Sequence, residues 1–209
     1  MKSAFWIVVS CAIAFAATVL LLRIPGRGTS EPPTTTRQIS PTSPTVTPNS
    51  PTMSPRGQDA TIIGRATIID GDTIDVGRQR IRLHGIDAPE GGQTCTDGND
   101  KPYLCGSKAA FALADFVGEA TVRCKPLDKD RYRRTVARCF VRDEDLGSFL
   151  VRSGWALDWP RYSSGTYASD QQDAQKFKRG MWAGKFVEPW NWRTCIRNGG
   201  QRDRCSVPN

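Results

Sequence analysis

The sequence predicts a mainly β fold with helices, an α+β domain built on a five-stranded barrel. Short β-type runs recur after Ala60, at Thr61 to Ile69, Thr73 to Val76, Gln79 to His84, Ala120 to Lys125 and Thr135 to Val141. Asp70-Gly71 and Gly77-Arg78 make the first two connections tight. About three helical stretches interrupt the strands, each followed by a glycine.

The elements follow in chain order. Ala4 to Leu22 are 19 consecutive residues without a charge, preceded by Lys2 and ended by Arg23, Pro25 and Gly26. Such a run is long enough to cross a bilayer as a helix, so residues 1–27 read as a transmembrane anchor. A cleaved signal peptide is the alternative, since small residues recur from Ala12 to Ala17; Leu20, Leu21 and Leu22 prolong the run past any such site. Lys2 and the amino terminus stand against Arg23 and Arg27, so flanking charge does not fix the orientation. Residues 28–59 are dominated by Pro, Thr and Ser and read as an extended linker. The expected arrangement is a membrane-anchored protein with its domain on the periplasmic or extracellular side, or a secreted one if the leader is cleaved.

Residues 60–193 form the predicted domain, and residues 194–209 a cysteine-containing extension. Arg80 and Arg82 alternate with Ile81 and Leu83, so one face of the third strand carries guanidiniums and the other is apolar. Ser107 can cap a helix through Val117, ended at Gly118; Asp145 precedes a second over Leu146 to Arg152, closed by Gly154; a third spans Tyr167 to Arg179. Five strands with few helices suit a small Greek-key barrel of the OB type, whose face and loops commonly carry nucleic acid.

Formal charge is +8, and the part from Ala60 onward holds 24 Lys and Arg against 19 Asp and Glu, leaving +5. The excess favours a polyanionic partner. Of seven cysteines, Cys11 lies in the apolar run and six fall in the folded part. There is no C-x-x-C pair and His84 is the only histidine, which argues against structural zinc. An even number suits disulfides and oxidising surroundings, with buried free thiols as the alternative. Many pairings are open to six cysteines. Proximity in sequence favours Cys95 with Cys105, Cys124 with Cys139 across a hairpin, and Cys195 with Cys205.

The stretch Ile69 to Glu90 places Asp72, Arg82, Asp87 and Glu90 in the turns and ends of one short β unit. A hard divalent cation needs clustered carboxylates, and a phosphodiester needs a guanidinium beside it. Asp72 and Asp87 sit at the two ends of the hairpin of strands 2 and 3, so folding can bring them together. Two carboxylates with carbonyls and waters make a calcium site. Glu90 follows Pro89, whose fixed φ stiffens the loop, and can act on water from just outside the ion's ligands. The basic run Asp130-Arg131-Tyr132-Arg133-Arg134 occupies the turn between strands 4 and 5; on its own it reads as a solvated hairpin. Trp155, Trp159, Tyr162 and Tyr167 suit the core better than base stacking, and His84 a hydrogen-bonded structural role.

Asp70-Gly71-Asp72-Thr73, Arg82-Leu83-His84-Gly85-Ile86-Asp87-Ala88-Pro89-Glu90 and Asp130-Arg131-Tyr132-Arg133-Arg134 resemble the three signature blocks of the staphylococcal nuclease (thermonuclease) family. The resemblance covers about residues 60 to 192, and Gly180 to Gly184 with Pro189-Trp190-Asn191-Trp192-Arg193 is similar to the ending of many bacterial members. It implies a staphylococcal nuclease-like OB-fold barrel, a calcium ion, and cleavage of DNA and RNA, single strands preferred, at the 5′ P–O bond to leave 3′-phosphates. By the same resemblance Asp72, Asp87 and the backbone carbonyl of Ala88 are calcium ligands. Glu90 is the general base or water-orienting residue, and Arg82 and Arg134 bind phosphate and stabilise the transition state. Arg131, Tyr132 and Arg133 are expected on the substrate side. Three departures stand out: Ala88 replaces the Thr of the best-known member, Arg133 replaces a usual Gly, and Gly91 to Cys105 is an unfamiliar insertion. The alternative expectation is a non-catalytic OB module of the cell envelope that binds nucleic acid or protein; no particular protein partner follows from the sequence.

Overall fold

The structure, a computed structural model, describes residues 60–206. The expected anchor and linker, residues 1–27 and 28–59, lie outside the described residues. The expectation of a membrane-anchored protein is corrected: among the described residues no helix is long and apolar enough to cross a membrane. The longest has 13 residues and spans only about 20 Å, short of the ~30 Å hydrocarbon core.

Five strands build the barrel: β1 (Ile62–Ile68), β2 (Thr73–Val76), β3 (Gln79–Leu83), β4 (Thr121–Lys129) and β5 (Thr135–Val141). The first three form an antiparallel meander, with Ile68 opposite Ile74 and Ile74 opposite Ile81. β1 also pairs antiparallel with β4, and β4 with β5. A parallel pairing of β3 with β5, Ile81 opposite Thr135 and Leu83 opposite Ala137, closes the ring. Closure leaves no free edge in the barrel, which is how small all-β units avoid edge-to-edge pairing.

The core follows from period-2 alternation. Ile81 and Leu83 of β3 point inward between the arginines, and Ala137, Cys139 and Val141 of β5 are buried at every second position. Helix α1 (Cys105–Val117) and helix α2 (Leu146–Arg152) cap this core with Leu113, Val117, Leu146, Leu150 and Val151. Phe116 of α1 stacks on Phe149 of α2, ring centroids 3.8 Å apart. Asp145 caps α2 as its sequence position suggests, accepting from Gly147 N at 2.7 Å and Ser148 N at 3.3 Å. Helix α1 starts three residues earlier than a Ser107 cap would place it and has no side-chain cap. The backbone N–H of Cys105 donates instead to the Gln93 carbonyl at 3.1 Å, so a neighbouring loop supplies the acceptor. β4 runs beyond Lys125 because a bulge between Pro126 and Asp128 absorbs the proline.

Helix α3 (Ala168–Lys176) packs beside α2. Beyond the expected helices, helix α4 (Pro189–Arg197) opens with Pro at its first position. The insertion before α1 folds into a small hairpin, Thr94–Thr96 against Pro102–Leu104. A second apolar cluster lies here, with Cys95, Cys105, Leu157 and Met181 buried against Trp155, Trp182, Phe186 and Trp190. Disulfides join Cys95 to Cys105, Cys124 to Cys139 and Cys195 to Cys205. Cys124 and Cys139 are direct cross-strand partners in β4 and β5, Cα atoms 4.0 Å apart.

Candidate active site

The acidic residues converge because the chain turns sharply after β3. His84 N donates to the Ala137 carbonyl of β5 at 2.9 Å, and Gly85, at φ +75°, adopts the left-handed turn that glycine allows. The next two residues, Ile86 and Asp87, then pair with Leu157–Asp158. Asp87 is thereby fixed by its backbone, with no solvent exposure. Asp72 comes from the turn before β2, where its carbonyl accepts from Leu83 N at 2.8 Å. The Asp70 carboxylate tightens this turn by accepting from Asp72 N at 3.0 Å.

Arg82 bridges the two buried aspartates, Nη1 to Asp72 Oδ1 at 2.5 Å and Nη2 to Asp87 Oδ1 at 2.7 Å. Asp72 also accepts from Ala88 N at 2.8 Å and Thr73 Oγ1 at 3.3 Å. A second guanidinium arrives from α4: Arg193 donates to Asp87 through both η nitrogens and from Nη1 to Glu90 Oε1 at 2.9 Å. Three carboxylates and two guanidiniums therefore form one network, formally one charge negative. Burial pushes the Asp72 carboxyl up to about 7, against the pull of Arg82. Burial also opposes the charge on Arg193, but its bonds to Asp87 and Glu90 outweigh that and raise its pKa further. Glu90 is the accessible acid, with its side chain 36% exposed.

Of the expected site residues, Asp72, Arg82, Asp87 and Glu90 meet in this network, and Ala88 adjoins it through its N–H. Arg134 is held elsewhere: its Nε and backbone N–H both donate to Asp130, at 2.6 and 2.9 Å. No hydrogen bond or ion pair joins it to the three acids among the described residues. Arg131, Tyr132, Arg133 and Arg134 form the exposed hairpin tip, where Arg131 and Arg134 flank the Tyr132 ring at 5.3 and 5.5 Å. Arg133 sits at φ +64°, a left-handed conformation that glycine adopts more readily than arginine. With Gln79, Arg80 and Lys129, the residues Tyr132, Arg133 and Arg134 line a shallow basic depression.

Tyr167 is buried and donates to Asp145, and Trp155 packs between the two apolar clusters. Trp159 and Tyr162 instead form a surface group with Trp190 of α4 beside Arg193, whose guanidinium lies 5.7 Å from the Trp159 ring centre. His84 makes no bond to the acids; burial first and Arg138 second lower its pKa. Reading the sequence missed Arg193 as a site residue, although the block Pro189 to Arg193 and the nearby Cys195 were the signals that could have singled it out.

Among the described residues no group of three or more His, Cys, Asp or Glu side chains is arranged to hold a metal ion. Asp72 and Asp87 offer a smaller donor set. Their Oδ1 atoms both reach one guanidinium, so they already converge on a single positive group.

A closed five-stranded barrel bearing a buried carboxylate–guanidinium centre at the end of β3 defines a protein of the OB type. A family profile described as Staphylococcal nuclease homologue matches residues 80–184. The chain belongs to the staphylococcal nuclease homologue family. It is similar to the succinoglycan biosynthesis protein ExoI of Rhizobium meliloti (strain 1021), 41% identical over 128 residues that cover 60% of this chain and 67% of that protein. It is 32% identical to a micrococcal nuclease of Shigella flexneri over 148 residues, 63% of this chain and 79% of the other. An uncharacterized endonuclease of Haemophilus influenzae is 33% identical over 133 residues, 60% of this chain and 69% of that one. The family match includes Arg82, Asp87, Glu90 and Arg134; Asp72 and Arg193 lie outside its bounds.

Proposed function

We propose that the chain is a calcium-dependent nuclease that hydrolyses phosphodiester bonds of DNA and RNA and leaves 3′-phosphates. The observation that carries this reading is the meeting of Asp72 and Asp87 on one cationic group, with Glu90 at their edge. The relatives named micrococcal nuclease and endonuclease support it. Two aspartates fall short of a closed metal cage but suit a hard cation, whose other ligands would be the Ala88 carbonyl, water and a phosphate oxygen. When bound, calcium would neutralise phosphate charge as it builds up.

The chain's own residues supply the rest. Arg82, relieved of the aspartates by a cation, has a planar fork for two phosphate oxygens. Glu90 is exposed enough to meet water and takes its proton as the water oxygen bonds to phosphorus and the P–O5′ bond breaks, the 5′ oxygen leaving with the bonding pair and gaining a proton from solvent water. The hairpin tip with Arg131, Tyr132, Arg133 and Arg134 gives the strand a basic, aromatic surface suited to single-stranded DNA or RNA. Arg134 serves there as a phosphate contact.

Digestion of single-stranded DNA and of RNA by the full chain, with calcium and with a chelator, tests the reading. Cleavage with calcium only, giving 3′ ends that a phosphatase alters, is expected. Equal cleavage in both tubes removes the metal; none in either supports a non-catalytic nucleic-acid-binding module.

A further inference from the structure

We infer that Arg193 is a positioning residue for the pair Asp87 and Glu90, presented by a disulfide-braced C-terminal wall. The inference rests on the nuclease reading of this site. Arg193 Nη1 is shared between Asp87 Oδ1 and Glu90 Oε1, both at 2.9 Å, while Nη2 takes Asp87 Oδ2 at 2.8 Å. One rigid fork thus sets the distance between a buried carboxylate and the accessible one.

The wall behind it holds both partners. Gln93, fully buried, accepts from Glu90 N at 3.3 Å through Oε1 and donates to the Val187 carbonyl at 2.6 Å through Nε2. Glu90 is therefore tied at its backbone to the segment leading into α4, and at its carboxylate to α4 itself. Ser206 Oγ accepts from Trp192 Nε1 at 3.1 Å and from Thr94 N at 3.2 Å, joining α4 to the inserted hairpin. Cys95–Cys105 closes the hairpin and Cys195–Cys205 closes the end of α4, two residues beyond Arg193. Trp190 stacks near Trp159, whose ring faces the guanidinium.

Arg193 has two separable effects. Its fork orients Glu90, which turnover requires; its charge offsets Asp87, which a divalent cation must share. Removing it lowers kcat and tightens calcium, whereas loss of a merely structural prop loosens both.

The test uses the full chain as wild type, Arg193→Ala and Arg193→Lys, with kcat and KM measured on single-stranded DNA and calcium binding measured by calorimetry without DNA. For Arg193→Ala, kcat falls about 10- to 100-fold, KM stays within about threefold, and calcium binds about threefold tighter or more. Arg193→Lys keeps the charge but not the fork, so calcium affinity is retained while kcat still falls about 10-fold; it decides the matter if the alanine variant does not fold. Unchanged or raised kcat, calcium weakened together with kcat, or a KM rise at constant kcat each overturns the assignment. A wild-type chain without calcium-dependent cleavage removes the nuclease reading and this inference with it. Active wild type beside an unaffected variant removes the inference alone.

Discussion

Arg193 and Asp87 meet through a two-point fork, at 2.9 and 2.8 Å, across 106 residues of chain. Asp87 has no exposed surface and takes a further bond from Arg82, so one buried carboxylate receives charged donors from β3 on one side and α4 on the other. Charge-assisted, bidentate bonds of this kind fix geometry more firmly than neutral ones. The barrel supplies the acids and one arginine; the C-terminal segment supplies the second.

Removing the other arginine tests the barrel's half of this arrangement. Arg82→Ala is expected to lower kcat by about 10²–10³, the scale of losing one electrostatic donor to a developing oxyanion. It also leaves the buried Asp72 without its guanidinium, costing about 3 kcal/mol by urea unfolding. Glu90→Gln separates the two effects. It lowers kcat by about 10²–10⁴ while the melting temperature stays close to wild type, because the side chain is partly exposed and Gln keeps an acceptor for Arg193.

The barrel was legible in the sequence because its signals are local. β3 alternates Arg80, Ile81, Arg82 and Leu83, Asp145 stands one residue before its helix, and Cys124 and Cys139 lie within one hairpin. The gathering of Asp72, Arg82, Asp87 and Glu90 was legible too, since a single hairpin separates them. Arg193 was not. Its meeting with Asp87 depends on how the inserted hairpin and the C-terminal segment pack, and α4 carries only Trp190, Trp192 and Ile196 as large apolar residues, a weak periodic signal. The start of α1 was misplaced for a related reason: its acceptor comes from Gln93 in another loop, which no pattern within the helix reveals.

Two disulfides of similar loop length separate scaffold from site. Cys124–Cys139 spans 15 residues inside the barrel core, and Cys195–Cys205 spans 10 at the end of α4. Chain entropy assigns both about 3 kcal/mol. Replacing the first pair by alanine is expected to lower the melting temperature by roughly 10 °C with kcat retained in the folded protein. Cys195–Cys205 lies outside the barrel, so replacing both by serine is expected to loosen the C-terminal segment locally, leaving the barrel melting little changed and lowering kcat about 10-fold as Arg193 loses its brace. Calorimetry and kinetics on the two double variants check the contrast.

The hairpin tip should respond to acid through Asp130. Burial raises this carboxyl, but the side-chain and backbone donors of Arg134, with Tyr132 N, outweigh it and hold the pKa below its ordinary value. A depressed folded value means that the stabilisation is full above the unfolded pKa and is lost as pH falls through the folded one. Asp130→Ala therefore melts below wild type at neutral pH, and the gap closes as pH falls below the ordinary carboxylate range of about 4. A gap that persists unchanged at the acid end would remove Asp130 as the anchor of Arg134.

Gly106 sets local helix preference against packing. In the first turn of α1 alanine is a better helix former than glycine by about 1 kcal/mol, and on that ground Gly106→Ala would stabilise the protein. A methyl group there, however, overlaps the Glu90 carbonyl and crowds the Gly91 Cα, both backbone atoms that cannot rotate aside. The loop carrying Glu90 must shift, and with it the bonds to Gln93 and Arg193. Displacement of a reacting group by about 1 Å can cost about 10²-fold in rate, so packing decides the outcome. The expected result is a folded Gly106→Ala protein with α1 intact by circular dichroism and kcat lowered at least tenfold, about half that cost in logarithmic terms; a variant both more stable and fully active would show that Glu90 does not depend on this contact.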